Sequence, residues 1–346
     1  MSLSLALSLH RHIKHSSVMS SNSNRSRNEM IFTKCQLSYI VESPSEIYIN
    51  SAITCCVVNA ILLIIGCILN SLVVVIYSMS KQLRSNMKFL PVLVLCSVDL
   101  VTVTLVHPVF LMQAIAEVLG SPKCLYKVAY MSVLCIFPFM SVATLLAMNV
   151  ERYIAVVWPL WHLQSSNKER KFMLACGFGL LLSVANFSCR LYKPQSSKAF
   201  TMGFGIIVSL ITLFVYISIF YVAQKRYLMK RSEEMIGDFA PCPRNRMNFM
   251  HNLKIAKIYF LVVILSSICL LPVIVVTFAV KYPLQKSESR RLLIAQVYMW
   301  TNILLPINST LNCLVFFWAN ARLRKEAWKL WRRLLKSPSN PNVLTQ

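Results

Sequence analysis

Charge is scarce in this chain. Only 14% of its 346 residues are Asp, Glu, Lys or Arg, against about 25% in an ordinary soluble domain. Acids are scarcer still, 12 against 36 Lys and Arg. Long apolar runs recur instead, and 56% of residues are hydrophobic. Together these exclude a large soluble core and point to an integral membrane protein. The net charge of +24 raises the question of nucleic acid. The basic residues, however, lie in the gaps between apolar runs, where they suit an anionic membrane surface. Membrane lipids are therefore expected partners and nucleic acid is not. The twelve Cys contain no Cys-x-x-Cys spacing, and most lie in apolar runs as small buried hydrophobes. No internal repeat is visible, which counts against a repeat-built transporter. Asp99 is the only Asp in the apolar runs, and His107 has no evident nucleophile beside it. An intramembrane enzyme would need convergent catalytic groups, so no enzyme is expected.

Residues 1–51 are polar and rich in Ser and Asn, and they read as a disordered tail. Within them Asn24-Arg25-Ser26 is a glycosylation acceptor pattern, which matters only on the extracellular side. Seven apolar runs follow, near 52–78, 87–114, 124–157, 171–189, 199–224, 252–280 and 292–318. At about 1.5 Å per residue each can cross a core of about 30 Å, the fourth only just. The predicted fold is thus an all-α membrane protein, a seven-helix bundle over 52–318. Residues 319–336 follow as an amphipathic helix, with Leu323, Ala327, Leu330, Trp331 and Leu334 on one face and Arg and Lys on the other. Such a helix lies on a membrane surface. Residues 337–346 are a short tail. More Lys and Arg fall in the segments that are cytoplasmic if the N-terminus is outside, which sets the expected orientation.

Strongly polar groups inside the runs are few and recur at one depth: Asn70, Asp99, Ser141, Asn308, Ser309 and Asn312. A lone carboxylate in lipid is costly, so Asp99 should face the bundle interior with partners. Oxygen ligands of this kind suit Na⁺ or a proton. They equally suit a hydrogen-bonded network that only holds helices together. The third run ends in Glu151-Arg152-Tyr153. That pair is either a charged cap at the membrane interface or a switch, with Arg152 held by Glu151 and released to a partner.

These motifs, in this order, resemble a rhodopsin-like (class A) G-protein-coupled receptor. The resemblance rests on Gly66-x-x-x-Asn70, Leu95-x-x-x-Asp99, Glu151-Arg152-Tyr153, Pro159-Leu160, Tyr216, Cys269-Leu-Leu-Pro272 and Asn308-Ser-Thr-Leu-Asn312, over roughly 52–336. It implies a plasma-membrane receptor that binds an extracellular ligand and activates a heterotrimeric G protein. Asp99, Ser141, Asn308, Ser309 and Asn312 would form a sodium pocket, with Asn70 in the same network. Arg152 would engage the G protein, Tyr216 would swing toward Arg152, Leu160 would insert into the G protein, and Pro272 would hinge the sixth span. The alternative from another class is an ion-coupled transporter using Asp99.

The chain also departs from that family's pattern. Leu270 and Ser266 stand where Trp and Phe are usual, and Asn312-Cys313-Leu-Val-Phe316 replaces Asn-Pro-x-x-Tyr. Asn252 stands where some members carry an acid that pairs with the Arg. Raised basal signalling is the expected consequence. The resemblance implies an outer disulfide, for which Cys124 and Cys189 are the candidates. Cys35 is a third cysteine that pairs instead or stays free. The second outer loop is expected near 190–198. Leu134 replaces the Asp of amine receptors, which disfavours a biogenic amine. The implied ligand pocket is Tyr130, Leu134, Cys135, Leu270, Val273, Ile274, Thr277, Tyr298 and Asn302. It is largely apolar, as a lipid, a steroid-like molecule or a hydrophobic peptide end requires. Lys123, Lys127, Arg190, Lys281, Arg290 and Arg291 ring its mouth. They would attract an anionic head group, although the basic character of the whole chain accounts for them as well.

Overall fold

The computed structural model describes residues 31–35, 38–85, 89–236, 258, 260–273, 275–276 and 288–336. Asn24, Asn252, Ile274, Thr277 and Lys281 lie outside the described residues. A β-hairpin opens the described chain, with β1 (Ile31–Cys35) antiparallel to β2 (Ser38–Ser43). The disorder expected through residue 51 therefore does not extend over this segment. Phe32, Tyr39, Ile40 and Val41 carry the strand preference, and Ile40 and Val41 are buried.

Helix α1 (Glu46–Met79) begins six residues before the apolar run does. Ser45 caps it by accepting a hydrogen bond from the Tyr48 amide at 3.3 Å, and Glu46 complements the positive helix end. The short α2 (Lys81–Arg84) leads to α3 (Leu90–Val118) and α4 (Cys124–Val157). Then come α5 (Pro159–Gln164), α6 (Lys168–Tyr192) and α7 (Pro194–Ile236). An apolar helix α8 (Phe260–Val273) precedes α9 (Glu288–Ala319) and α10 (Ala321–Lys336). Six of these helices are long and apolar enough to cross a membrane, and α8 is the shorter seventh. Leu, Ile and Phe side chains stay exposed along them, as with Ile61, Ile68, Leu174 and Phe220. In water such surfaces would drive aggregation, whereas lipid accepts them.

Small residues set how closely the helices approach. A Cβ on Gly66 of α1 would come within 2.7 Å of Thr310 Oγ1 on α9 and 2.9 Å of Val103 on α3. A Cβ on Gly179 of α6 would come within 2.8 Å of the Ala143 Cβ on α4. Pro108, Pro138 and Pro306 sit inside α3, α4 and α9, a place that bundled membrane helices tolerate because neighbours satisfy the freed carbonyls. At the end of the chain Asn320 Oδ1 accepts from the amides of Arg322 and Leu323, at 3.1 and 3.4 Å. This starts α10, and its Leu323 is buried with Ile76, Leu83 and Phe89.

Two expectations need correction. The outer loop predicted at 190–198 does not exist. Helix α6 runs to Tyr192, α7 starts at Pro194, and Lys193 alone joins them. Pro194 suits a first helical position, where its missing N–H costs nothing. One polar residue of that stretch, Ser197, is instead satisfied between the two helices. Ser197 Oγ donates to Asn186 Oδ1 at 2.9 Å, and Asn186 Nδ2 donates to Thr201 Oγ1 at 2.9 Å. The disulfide is Cys35–Cys124, with a Cα separation of 5.6 Å, and not Cys124–Cys189. Cys189 is held inside α6 and is free and exposed. A one-residue connection gives it no slack to leave that helix.

Candidate functional site

Asp99 on α3 is fully buried, and its hydrogen-bond partners come from two other helices. Ser141 Oγ on α4 donates to Asp99 Oδ1 at 2.7 Å, and Asn312 Nδ2 on α9 donates to Asp99 Oδ2 at 3.1 Å. Ser309, also buried, lies one turn before Asn312 on the same helix. On α1, Asn70 Nδ2 donates to the carbonyls of Gly66 and Ser309, at 2.9 and 3.4 Å. The amide oxygens Asn70 Oδ1 and Asn312 Oδ1 are buried without a hydrogen-bond partner among the described residues. Unused buried oxygens around a carboxylate fit a hard monovalent cation. Asn308 lies in the same stretch of α9 but turns to α8, where Ser266 Oγ donates to Asn308 Oδ1 at 2.7 Å.

The opposite end of the bundle from Cys124 is built on the last turns of α4. Arg152 is 4% exposed, and its Nη2 pairs with Glu151 Oε2 at 3.0 Å. One turn earlier, Asn149 Oδ1 accepts from the Tyr216 hydroxyl of α7 at 3.1 Å. The Tyr216 ring packs against Phe260 of α8 at 4.6 Å. Tyr153 lies edge-on to Trp158 at 5.4 Å, and Pro159 opens α5 beside Leu160, which is 74% exposed. Pro272 stands in the last turn of the described α8.

Between these two sites is a small cleft among α4, α7 and α8. Asn149, Ser209, Thr212, Ser266, Ser267 and Leu270 are among the residues that line it. Asn149 Nδ2 and Thr212 Oγ1 are buried there without a partner among the described residues. Ser266 and Leu270, in place of larger aromatic rings, leave this space open. Leu270 thus faces the deep cleft. Cys313 and Phe316 are buried in the core beside Cys96 and Met148, on an unbroken α9.

Of the predicted pocket residues, Tyr130 and Leu134 join one core cluster with Met131 and Met299, against which Tyr298 packs. Cys135 and Asn302 are also buried. Tyr130 is edge-on to Phe110 at 5.4 Å. Val273 sits on α8 near the outer end of its described part, half-buried.

One network escaped sequence reasoning. Glu117 on α3 is 3% exposed. Tyr48 donates to its Oε2 at 2.7 Å, Gln113 donates to its Oε1 at 3.0 Å, and Lys127 Nζ lies 3.8 Å away. Lys127, expected on the rim, is therefore buried and committed to Glu117. The available signal was the Gln113-x-x-x-Glu117 spacing, which puts two polar groups on one face of an apolar helix. His107 is likewise buried, its Nδ1 2.8 Å from Asn59 Oδ1.

No individual curated protein matches the chain significantly. The family model described as 7 transmembrane receptor (rhodopsin family) matches residues 69–316, well over half of the sequence. Its match spans the buried Asp99 network and the Arg152 end alike, and the chain belongs to this rhodopsin family of seven-transmembrane receptors, non-enzymatic signalling proteins of the membrane.

Proposed function

We propose that the chain is a plasma-membrane receptor with its N-terminus outside, which binds an extracellular ligand and activates a heterotrimeric G protein as the sixth helix moves. The observation that carries this reading is the Arg152 end. A buried guanidinium is held by the adjacent Glu151 at 3.0 Å, one turn from the Tyr216–Asn149 bond and near the exposed Leu160. These polar contacts are ones that a partner could exchange for its own, which is the requirement for a two-state switch. Leu160 would enter the G protein, and Pro272 would hinge α8.

Asp99, Ser141, Asn312, Ser309 and Asn70 would hold Na⁺ in the inactive state, with Asn308 linking the site to Ser266. The ion would supply a positive charge beside the buried carboxylate. The cleft lies between the Ser266–Asn308 bond and the Tyr216–Asn149 bond, so its polar lining would carry the linkage that aromatic residues carry in relatives. Helix α10 would lie on the inner membrane surface, with Trp328 and Trp331 exposed toward lipid. Asn24 would be glycosylated outside. The ligand would be a lipid or a peptide end and not a biogenic amine.

The test is nucleotide exchange on heterotrimeric G proteins in membranes that contain the chain, compared with Arg152→Ala at equal expression. The expected result is basal exchange above empty membranes that falls to background in the variant. Exchange that persists in Arg152→Ala, or no exchange with any G-protein class, overturns the reading. Sodium-driven solute flux in proteoliposomes without G protein would support the transporter instead.

A further inference from the structure

Arg190 occupies the last turn of α6 and turns inward toward α4. Its Nη1 donates to Cys135 Sγ at 2.8 Å and its Nη2 to Met131 Sδ at 3.8 Å. Its Nε is buried with no hydrogen-bond partner among the described residues. A guanidinium offers five N–H donors, and thiol and thioether sulfurs are weak acceptors. The ion pairs among the described residues are Lys127–Glu117, Arg152–Glu151 and Lys329–Glu326, so no described acid neutralises Arg190. A cation in this position is under-satisfied, and such groups are costly unless paired.

A second donor meets the same sulfur from another helix. The Tyr298 hydroxyl of α9 also lies 3.8 Å from Met131 Sδ. Tyr130, Leu134 and Met299 join Met131 in one core cluster. Methionine is flexible and easily displaced. Met131 thus lies between a cation and a hydroxyl that each lack a strong acceptor among the described residues. Lys127 does not compete for an anion, because Glu117 already faces it.

We propose that the ligand carries an oxyanion at the end of an apolar body, and that Arg190 grips this group bidentately while Tyr298 donates a further hydrogen bond. The inference rests on the pocket of the proposed receptor and names the chemistry it recognises. Fork-to-fork pairing with a carboxylate, sulfate or phosphate satisfies the guanidinium in the geometry it favours. The apolar part then lies against Tyr130 and Leu134.

The test measures binding without any G protein, so that failure of signalling and failure of this inference are separable. The full chain in nanodiscs is titrated with phenylbutyl probes that end in carboxylate, sulfate, phosphate, hydroxyl or ammonium. At least one anionic probe is expected to raise the thermal midpoint saturably, and the alcohol and the ammonium are not. Arg190→Gln should weaken the best anionic probe by about thirtyfold or more. Arg190→Lys should recover part of that loss, since it keeps the charge and loses the fork. Tyr298→Phe should weaken the anion by about three- to tenfold. The thermal midpoints of the probe-free variants show whether each has folded, and Tyr298→Phe carries the test if Arg190→Gln has not. If no anionic probe binds, if the alcohol binds as well as the best anion, or if both Arg190→Gln and Tyr298→Phe leave anion binding unchanged, the proposal is wrong.

Discussion

Replacing both Cys35 and Cys124 by Ser should free the N-terminal hairpin from the bundle. The size of the effect depends on which loop the disulfide closes. The two residues are 89 apart in sequence, and closing a free loop of that length corresponds to about 4.6 kcal/mol. That figure treats the intervening chain as a coil. In a membrane, α1 and α3 remain inserted helices even when their packing is lost. The freedom removed is then only that of the segment between Cys35 and the start of α1 at Glu46. For roughly ten residues the same relation gives about 2.7 kcal/mol. The smaller figure is the better one, because the membrane and not the disulfide keeps the two helices near each other. It corresponds to roughly a hundredfold rise in hairpin opening. Val41 still packs with Tyr48 and Ala52, so the hairpin should loosen without the bundle melting. Hydrogen exchange of the Phe32–Val41 amides in nanodiscs reads this directly. Exchange that is unchanged in the double variant, or equally accelerated by Cys189→Ser alone, would refute the reasoning.

Two further outcomes follow from packing and from the buried network. Gly179→Ala should destabilise the α4–α6 contact by about 1–3 kcal/mol through overpacking, because the new Cβ meets Ala143 at 2.8 Å. Gly177→Ala, with open space around it, should be neutral or gain up to about 1 kcal/mol in helix preference. Thermal midpoints in detergent should therefore rank Gly177→Ala above Gly179→Ala, and the reverse order would contradict the packing. Tyr48→Phe removes the 2.7 Å bond to Glu117 and leaves a carboxylate oxygen against a bare ring. A bond to a charged group is worth about 1.5–3 kcal/mol in water, but membrane reference states reduce such values to about 0.6–1.7 kcal/mol. A loss of about 0.6–1.7 kcal/mol in chemical unfolding is expected, and wild-type stability would count against the network.

Much of the architecture was legible in the sequence because a membrane leaves few ways to place a long apolar run. The third run was read to its ends, Cys124 and Val157. The Asp99 group was legible for the same reason, since isolated polar residues in apolar helices must find one another, and Ser141 and Asn312 do. The half nearest the hairpin was harder to read. Gln195, Ser196, Ser197 and Lys198 have loop composition, yet Ser197 is buried against Asn186 inside the bundle. Polarity marks a loop only when water is the partner. Disulfide pairing depends on where chain segments lie in space, and spacing alone did not favour Cys35 over Cys189. Arg190 and Lys127 looked alike as rim cations. Only coordinates separate the one held by Glu117 from the one resting on sulfur.

The single residue between α6 and α7 also fixes when the hairpin end of the bundle is closed. A bridge to Cys189 would have to wait until the fourth span had been made. Cys35 needs only Cys124, which emerges 89 residues after it. At about 5–20 residues per second that is roughly four to eighteen seconds of translation. The hairpin can thus be fastened to the start of α4 while the last four spans are still unmade. Those spans then assemble beside an end that is already covered, and the cap belongs to the earliest part of the receptor to mature.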